Sequence, residues 1–145
     1  MAIKIVDSLF PKLPKQTAIS KATQAYVPDQ LLVEDTTNGY AVPAGVVTAS
    51  TLNVLGVGTK SFTAGASNGT VNYIPLITGA VFVVADATNA TAANQLHKNH
   101  LMTDSQNVNN TSTTNTTLNA VFHALALSGS QKLYGYFIRS GQVTA

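Results

Sequence analysis

Every apolar stretch in this 145-residue chain is cut short at strand length by a cluster of turn-forming residues. "QLLVED" runs into "TTNGY", where Asn38-Gly39 is a strong two-residue hairpin signal because both positions tolerate positive φ. "YAVPAG" breaks at Pro43-Ala44-Gly45, and "STLNVLGVG" alternates Leu52 and Val54 with polar neighbours before becoming continuously apolar. "GASNGT" is a second turn cluster. "VNYIPLI" alternates, with Pro75 pointing to an edge or bulge, and "GAVFVVA" has the length and β-branching of a buried strand. "HLMTD", "TLNAVFHALAL" and the aromatic "KLYGYFIRS" complete the series, the last after the turn "SGS". Short strands with turn signals about every 8–12 residues predict an all-β fold, a small antiparallel β-barrel or β-sandwich. The exception is "NATAANQLHKN" (89–99), whose Thr91, Ala92, Ala93, Gln95 and Leu96 suggest a short capped helix.

The stretch "NVNNTSTTNTTLN" (107–119) fits the same reading. Threonine's branched β-carbon suits a pleated surface, and asparagine suits turns because it tolerates left-handed backbone and bonds its own main chain. A turn or loop entering a solvent-facing strand is therefore expected. A flexible linker would carry Gly, Ser, Glu and Lys instead, and a mucin-like stalk would carry Pro. Thr and Asn together supply roughly a fifth of the chain while charged residues supply 10 %, against about 25 % in an average domain. Polarity comes from hydroxyls and amides rather than ions.

The first 24 residues read differently. Pro11 and Pro14 forbid a helix through "SLFPKLPKQ", since each removes a backbone donor and restricts the residue before it. Lys4, Lys12, Lys15 and Lys21 are opposed there only by Asp7, and Ile3, Ile5, Val6, Leu9, Phe10 and Leu13 are too apolar for a tail that stays in water. The division expected is an extended arm over residues 1–24 and a single β-rich domain over 25–145. The arm would find its surface on another chain, with Ile5, Leu9, Phe10, Lys12 and Leu13 making the contact.

Ingredients for catalysis are few. The acids are Asp7, Asp29, Glu34, Asp35, Asp86 and Asp104, and the histidines are His97, His100 and His123. "HKNH" puts His97 and His100 on one face if helical, but a zinc site needs three or four ligands and no cysteine is present. "GVGTK" lacks the spacing between glycines of a phosphate-binding loop. Asp86 is a candidate orienter for His97 or His100, yet no serine stands in a nucleophile elbow. No enzyme, cofactor or metal is expected; a small hydrolase or metal enzyme built on His97, His100 and Asp86 is the reading set against this. The sequons at Asn68, Asn89, Asn110 and Asn115 follow from composition. With a net charge of +2 no general nucleic-acid surface is indicated, and no segment has the form of a secretory signal or a membrane span.

From Val27 to Ile138 the order of these pieces is similar to the small capsid decoration (cement, or auxiliary capsid) proteins of tailed bacteriophages. The hairpin "LLVEDTTNGYAVPAG" leads into a strand ending "VLGVGT", then a Gly-containing turn and the apolar pair "VNYIPLITGAVFVV". The small-residue segment "ATNATAANQLHKNHLMTDSQNVNN" with Asp104, and the closing "AVFHALAL" and "LYGYFI", follow in order. Two features depart from that pattern: the basic, proline-broken arm is no fixed part of it, and "SGSQK" lacks the acidic turn common before the last strand. The resemblance implies a β-tulip-like module on the outer surface of a capsid, often a homotrimer, assembled in the host cytoplasm and reinforcing contacts between major capsid protein subunits. It implies no catalytic residues. The alternative expectation is a head-fibre or tail component binding a receptor or glycan, with Tyr134, Tyr136 and Phe137 as its aromatics.

Overall fold

The computed structural model describes residues 3–34, 39–44, 53–63, 65–114 and 122–138. Asn38, Gly45, Leu52 and the alternation over Leu118 and Ala120 lie outside them. In chain order the strands are β1 (Ile3–Ser8), β2 (Gln16–Ser20), β3 (Ala25–Tyr26), β4 (Leu31–Glu34), β5 (Ala41–Pro43), β6 (Asn53–Gly58), β7 (Phe62–Thr63), β8 (Gly69–Pro75), β9 (Val81–Ala87), β10 (Asn99–Met102), β11 (Asn107–Thr114), β12 (Phe122–Gly129) and β13 (Lys132–Phe137). The chain is all-β, as its punctuated pattern predicts.

Most of the strands close into two rings, and β3 pairs with β7 in a separate two-stranded sheet. One barrel runs β2-β5-β4-β6-β8. The other sheet is ordered β1-β9-β11-β10-β12-β13, and a further pairing of β13 with β9 returns it on itself. In that ring β9 carries β13 along one edge, while β1 and then β11 share the opposite edge: Ile3–Ser8 oppose 81–85, and Asn107–Val108 oppose Asp86–Ala87. Most ladders are antiparallel; β9–β11 and β2–β5 are parallel. Closure removes the unpaired edges that make open sheets prone to aggregation.

Period-two alternation fills the larger ring. Val81, Val83, Ala85 and Ala87 of β9 point inward, as do Leu133 and Phe137 of β13 and Phe122 and Ala124 of β12. Phe122 and Phe137 meet edge to face with centroids 5.2 Å apart. In β4, by contrast, Leu31, Leu32 and Val33 are all buried. Leu31 and Val33 join the hydrophobic cluster that also contains the inward residues of β9, β12 and β13, whereas Leu32 packs with Tyr26, Ala41 and Val71 in a second cluster. The continuous apolar run "LLV" therefore serves two cores at once, the interior of its own barrel and the seam against its neighbour. Burial of one such side chain stabilises by about 1.5–3 kcal/mol. Backbone and side-chain bonds cross the same seam, from Leu31 N–H to Ser105 O (2.7 Å) and from Gln30 Nε2 to Ser105 Oγ (2.9 Å).

Tyr26, 2 % exposed, locks the smaller barrel. Its hydroxyl donates to Ala41 O (2.6 Å) and accepts from Lys21 N–H (2.9 Å). Burial raises its pKa above the ordinary tyrosine value, and the Lys21 N–H acts in the opposite sense. Tyr26→Phe leaves a buried carbonyl and a backbone donor without that hydroxyl, and a loss of about 1–3 kcal/mol is expected. Urea unfolding of the two proteins measures it, and an unchanged midpoint would refute the role of the hydroxyl.

The structure bears on three expectations. First, the segment expected to extend as an arm pairs with its own chain at both ends. β1 lies along β9 with Ile3 fully buried, and β2 lies along β8 from Gln16↔Tyr73 to Ser20↔Gly69. The alternation of Ile3 and Ile5 with Lys4 was strand periodicity with a partner some eighty residues away. Second, residues 89–99 form only a 3-10 turn at Ala93–Gln95. Thr91 Oγ1 donates to Gly129 O, Asn110 Nδ2 donates to Asn89 O and Ala90 O, and His97 sits at φ 62° with its N–H on Ala124 O. Neighbouring strands thus take the backbone groups a helix would have paired, and so short a helix is marginal without them. Third, Asn107–Thr114 is strand from its first residue, and Asn107, Val108 and Asn110 are buried rather than facing solvent.

Candidate functional site

Among the described residues no group of three or more His, Cys, Asp or Glu is placed to hold a metal ion. His100 is fully buried in the larger barrel, where its Nε2 lies 2.8 Å from Gln95 O, and His97 is exposed beyond the 3-10 turn. His123 Nδ1–H donates to Asn99 Oδ1 (2.7 Å), and its ring tilts against Tyr136 at 5.2 Å. Burial first, then the neighbouring His97 and His100, holds its pKa below the ordinary histidine value. Asp86, the candidate orienter, accepts from Lys132 Nζ at 2.6 Å. Asp104 caps its own turn, accepting from Gln106 N–H and from Asn107 Nδ2. His100, His123, Asp86 and Asp104 thus each have a partner within the fold.

The N-terminal segment presents a different surface. After β1 the chain leaves the ladder and passes through Leu9–Lys15 before β2. Its start is fixed by the backbone: Leu9 N–H donates to Ala80 O (2.8 Å), Ser8 N–H to Asp7 Oδ1 (3.0 Å) and Phe10 N–H to Ser8 Oγ (3.0 Å). The side chains are then left outside. Leu9 is 73 % exposed and Phe10 44 %, beside Val6 at 53 %. An isolated exposed leucine is ordinary, but three large apolar side chains within five residues form a patch. Phe10 lines a shallow concavity of about 400 Å³ with Ile5, Val6, Asp7, Ser8, Pro11 and Leu13.

The five residues expected to make a contact divide accordingly. Leu9 and Phe10 are exposed, and Lys12 is exposed beside them. Ile5 and Leu13 are half-buried and pack against the main core, so their share of any contact is a flank. Of the basic side chains in this segment, Lys4 pairs with Asp29, and Lys12, Lys15 and Lys21 are exposed. Of the aromatics near the end of the chain, Tyr134 and Tyr136 lie half-buried on the outer face of β13, whereas Phe137 points into the core. Strand alternation supplied that division, and it was visible in "KLYGYFI". What it missed is Phe82, which reaches the same outer face from β9 and stacks on Tyr134 at 5.9 Å.

Comparison of the chain with models of known protein families and with curated proteins gives no match.

Proposed function

We propose that this chain is a structural, non-enzymatic virion protein that binds the outer surface of a phage capsid and stabilises contacts between major capsid protein subunits. The observation that carries the reading is the Val6–Leu9–Phe10 patch: apolar side chains held outward by a hydrogen-bonded backbone, on a body otherwise closed into two barrels. Closed barrels leave few sheet edges for docking, so a raised apolar loop is the natural contact. A patch of this size is well below the roughly 1,600 Å² of a standard interface. The proposed contact therefore extends to the flanking Ile5, Lys12 and Leu13, and persistence comes from many copies acting on one particle. A homotrimer, the state the resemblance implies, would multiply the patch threefold at each docking position. The hydroxyl- and amide-rich surface keeps the particle soluble without strong ionic attraction to solutes.

The test uses Leu9→Ser/Phe10→Ser. Both side chains are exposed, so the variant is expected to keep the wild-type unfolding midpoint within about 0.5 kcal/mol. Its affinity for capsids assembled from the major capsid protein of the same phage should fall on the order of 100-fold, as for loss of two interface anchors. Co-sedimentation with those capsids reads the outcome. Wild-type binding by the double variant, or no capsid binding by the wild-type protein, overturns the proposal.

A further inference from the structure

We infer that the outer face of β9 and β13, with the concavity at its end, is a binding site for a neutral carbohydrate. Three aromatic side chains run along this face, joined by His123 of the adjoining β12. Phe82 stacks on Tyr134 (centroids 5.9 Å apart, planes 17° apart), meets Tyr136 edge to face at 6.0 Å, and Tyr136 in turn tilts against His123 at 5.2 Å. None of them is core: the alternate residues Val81, Val83, Leu133 and Phe137 fill the barrel interior. The rings are half-buried against one another, so their orientations are fixed before any ligand arrives.

One rung from Tyr134 the aromatic strip gives way to polar groups. Tyr134 stands opposite Val84, and Lys132 opposite Asp86. Two residues along a strand advance about 7 Å, roughly one sugar residue. Asp86 and Lys132 are joined at 2.6 Å, the carboxylate side chain 15 % exposed and the ammonium side chain 54 %. Together they line a concavity of about 460 Å³ with Asn107, Ser128, Ser130 and Gln131, within the usual size range of small-molecule sites. Asn107, 5 % exposed, uses its Nδ2 on Asp104, and its buried Oδ1 has no hydrogen-bond partner among the described residues. An orphaned buried acceptor is costly to leave unmet and calls for a reason.

The chemistry selects the ligand class. The two charged side chains that line the concavity are opposite in sign and paired, so the lining carries no excess charge to favour an anion or a cation. A nucleic acid would need unpaired cations for its phosphates, and Lys132 is already paired. What remains are hydroxyls, amides and a carboxylate–ammonium pair that can accept from one hydroxyl of a vicinal diol and donate to the next. Beside them are ring faces able to stack on the C–H face of a pyranose. A polar concavity continuous with fixed aromatic faces fits a sugar chain better than an apolar protein surface.

The test is isothermal titration of the intact protein with maltohexaose, cellohexaose, chitohexaose and mannohexaose. At least one is expected to bind, and Tyr134→Leu and Asp86→Asn should each weaken that binding tenfold or more. Because Asp86→Asn breaks an ion pair, the exposed Gln131→Ala is included as a milder change to the concavity, expected to weaken binding about threefold. Leu9→Ser/Phe10→Ser should bind the same oligosaccharide as tightly as wild type, which separates this site from the capsid contact. Absence of binding to all four at millimolar concentration overturns the inference, as does equal binding by wild type and Tyr134→Leu.

Discussion

Gly135→Ala is expected to destabilise the larger barrel by about 3 kcal/mol or more, a fall in Tm on the order of 10 °C for a chain of this size. Gly135 lies mid-strand in β13, opposite Ala124 of β12 on one side and Val83 of β9 on the other. A Cβ placed there would stand 2.0 Å from His123 O and 2.9 Å from Phe122 Cζ. The first is backbone of a paired strand, and the second is the ring of a fully buried side chain packed on Phe137, so neither moves cheaply. Glycine here is a matter of close approach, since nothing about φ demands it. Two barrel strands pass so near each other that only a hydrogen fits between them. Gly65→Ala is the control: its added Cβ meets nothing within 4 Å, and its effect should stay within about 0.5 kcal/mol. Parallel urea titrations measure both. A Gly135→Ala midpoint equal to that of the Gly65→Ala control would show that the strands separate freely at this crossing.

The fold class was legible because its signals are local. Turn clusters, β-branched runs and period-two alternation each act over a few residues, and they mark β4, β6, β8, β9, β12 and β13 in the sequence. What lay beyond reach was pairing at long range. Ile3 and Ile5 are too apolar for a solvated tail, yet nothing in "MAIKIVDS" shows that β9 is the surface that covers them. The same limit hid the Asp86–Lys132 pair, whose members are far apart in sequence and adjacent only because β13 closes on β9. In "NATAANQLHKN" local propensity pointed the wrong way, because Asn110, Gly129 and Ala124 supply tertiary hydrogen bonds that outcompete a short helix. For the candidate contact the division is physical too. Leu9 and Phe10 sit where prolines break the strand, so they have no ladder position to occupy and stay outside, whereas Ile5 retains its alternation and turns inward. The outer aromatic strip was half visible: β13 showed Tyr134 and Tyr136, while Phe82 was hidden in a run of apolar residues whose two faces cannot be told apart by composition.

Removal of residues 1–20 is expected to abolish the folded state rather than merely to detach a docking element. The deletion takes out β1 and β2, one from each ring. Without β2 the barrel β2-β5-β4-β6-β8 opens between β5 and β8, exposing the ladder from Gly69 to Tyr73 and uncovering Val71. Without β1 the β9 edge from Val81 to Ala85 loses its partner, and the main core loses Ile3, which is fully buried. A domain of this kind has about 5–15 kcal/mol of stability in hand, and loss of two paired strands with their buried side chains exceeds that reserve. Two freshly exposed strand edges also invite intermolecular pairing. The expected outcome is an insoluble or non-cooperatively unfolding product, read by soluble yield and by the loss of a sigmoidal urea transition. Loss of capsid binding in such a truncation would then say nothing about the contact itself, and the exposed pair Leu9 and Phe10 must be changed by point substitution. A truncated protein that unfolds cooperatively near the wild-type midpoint would mean that β1 and β2 are appliqués on barrels that close without them, and the leading segment would be free to serve another chain along its whole length.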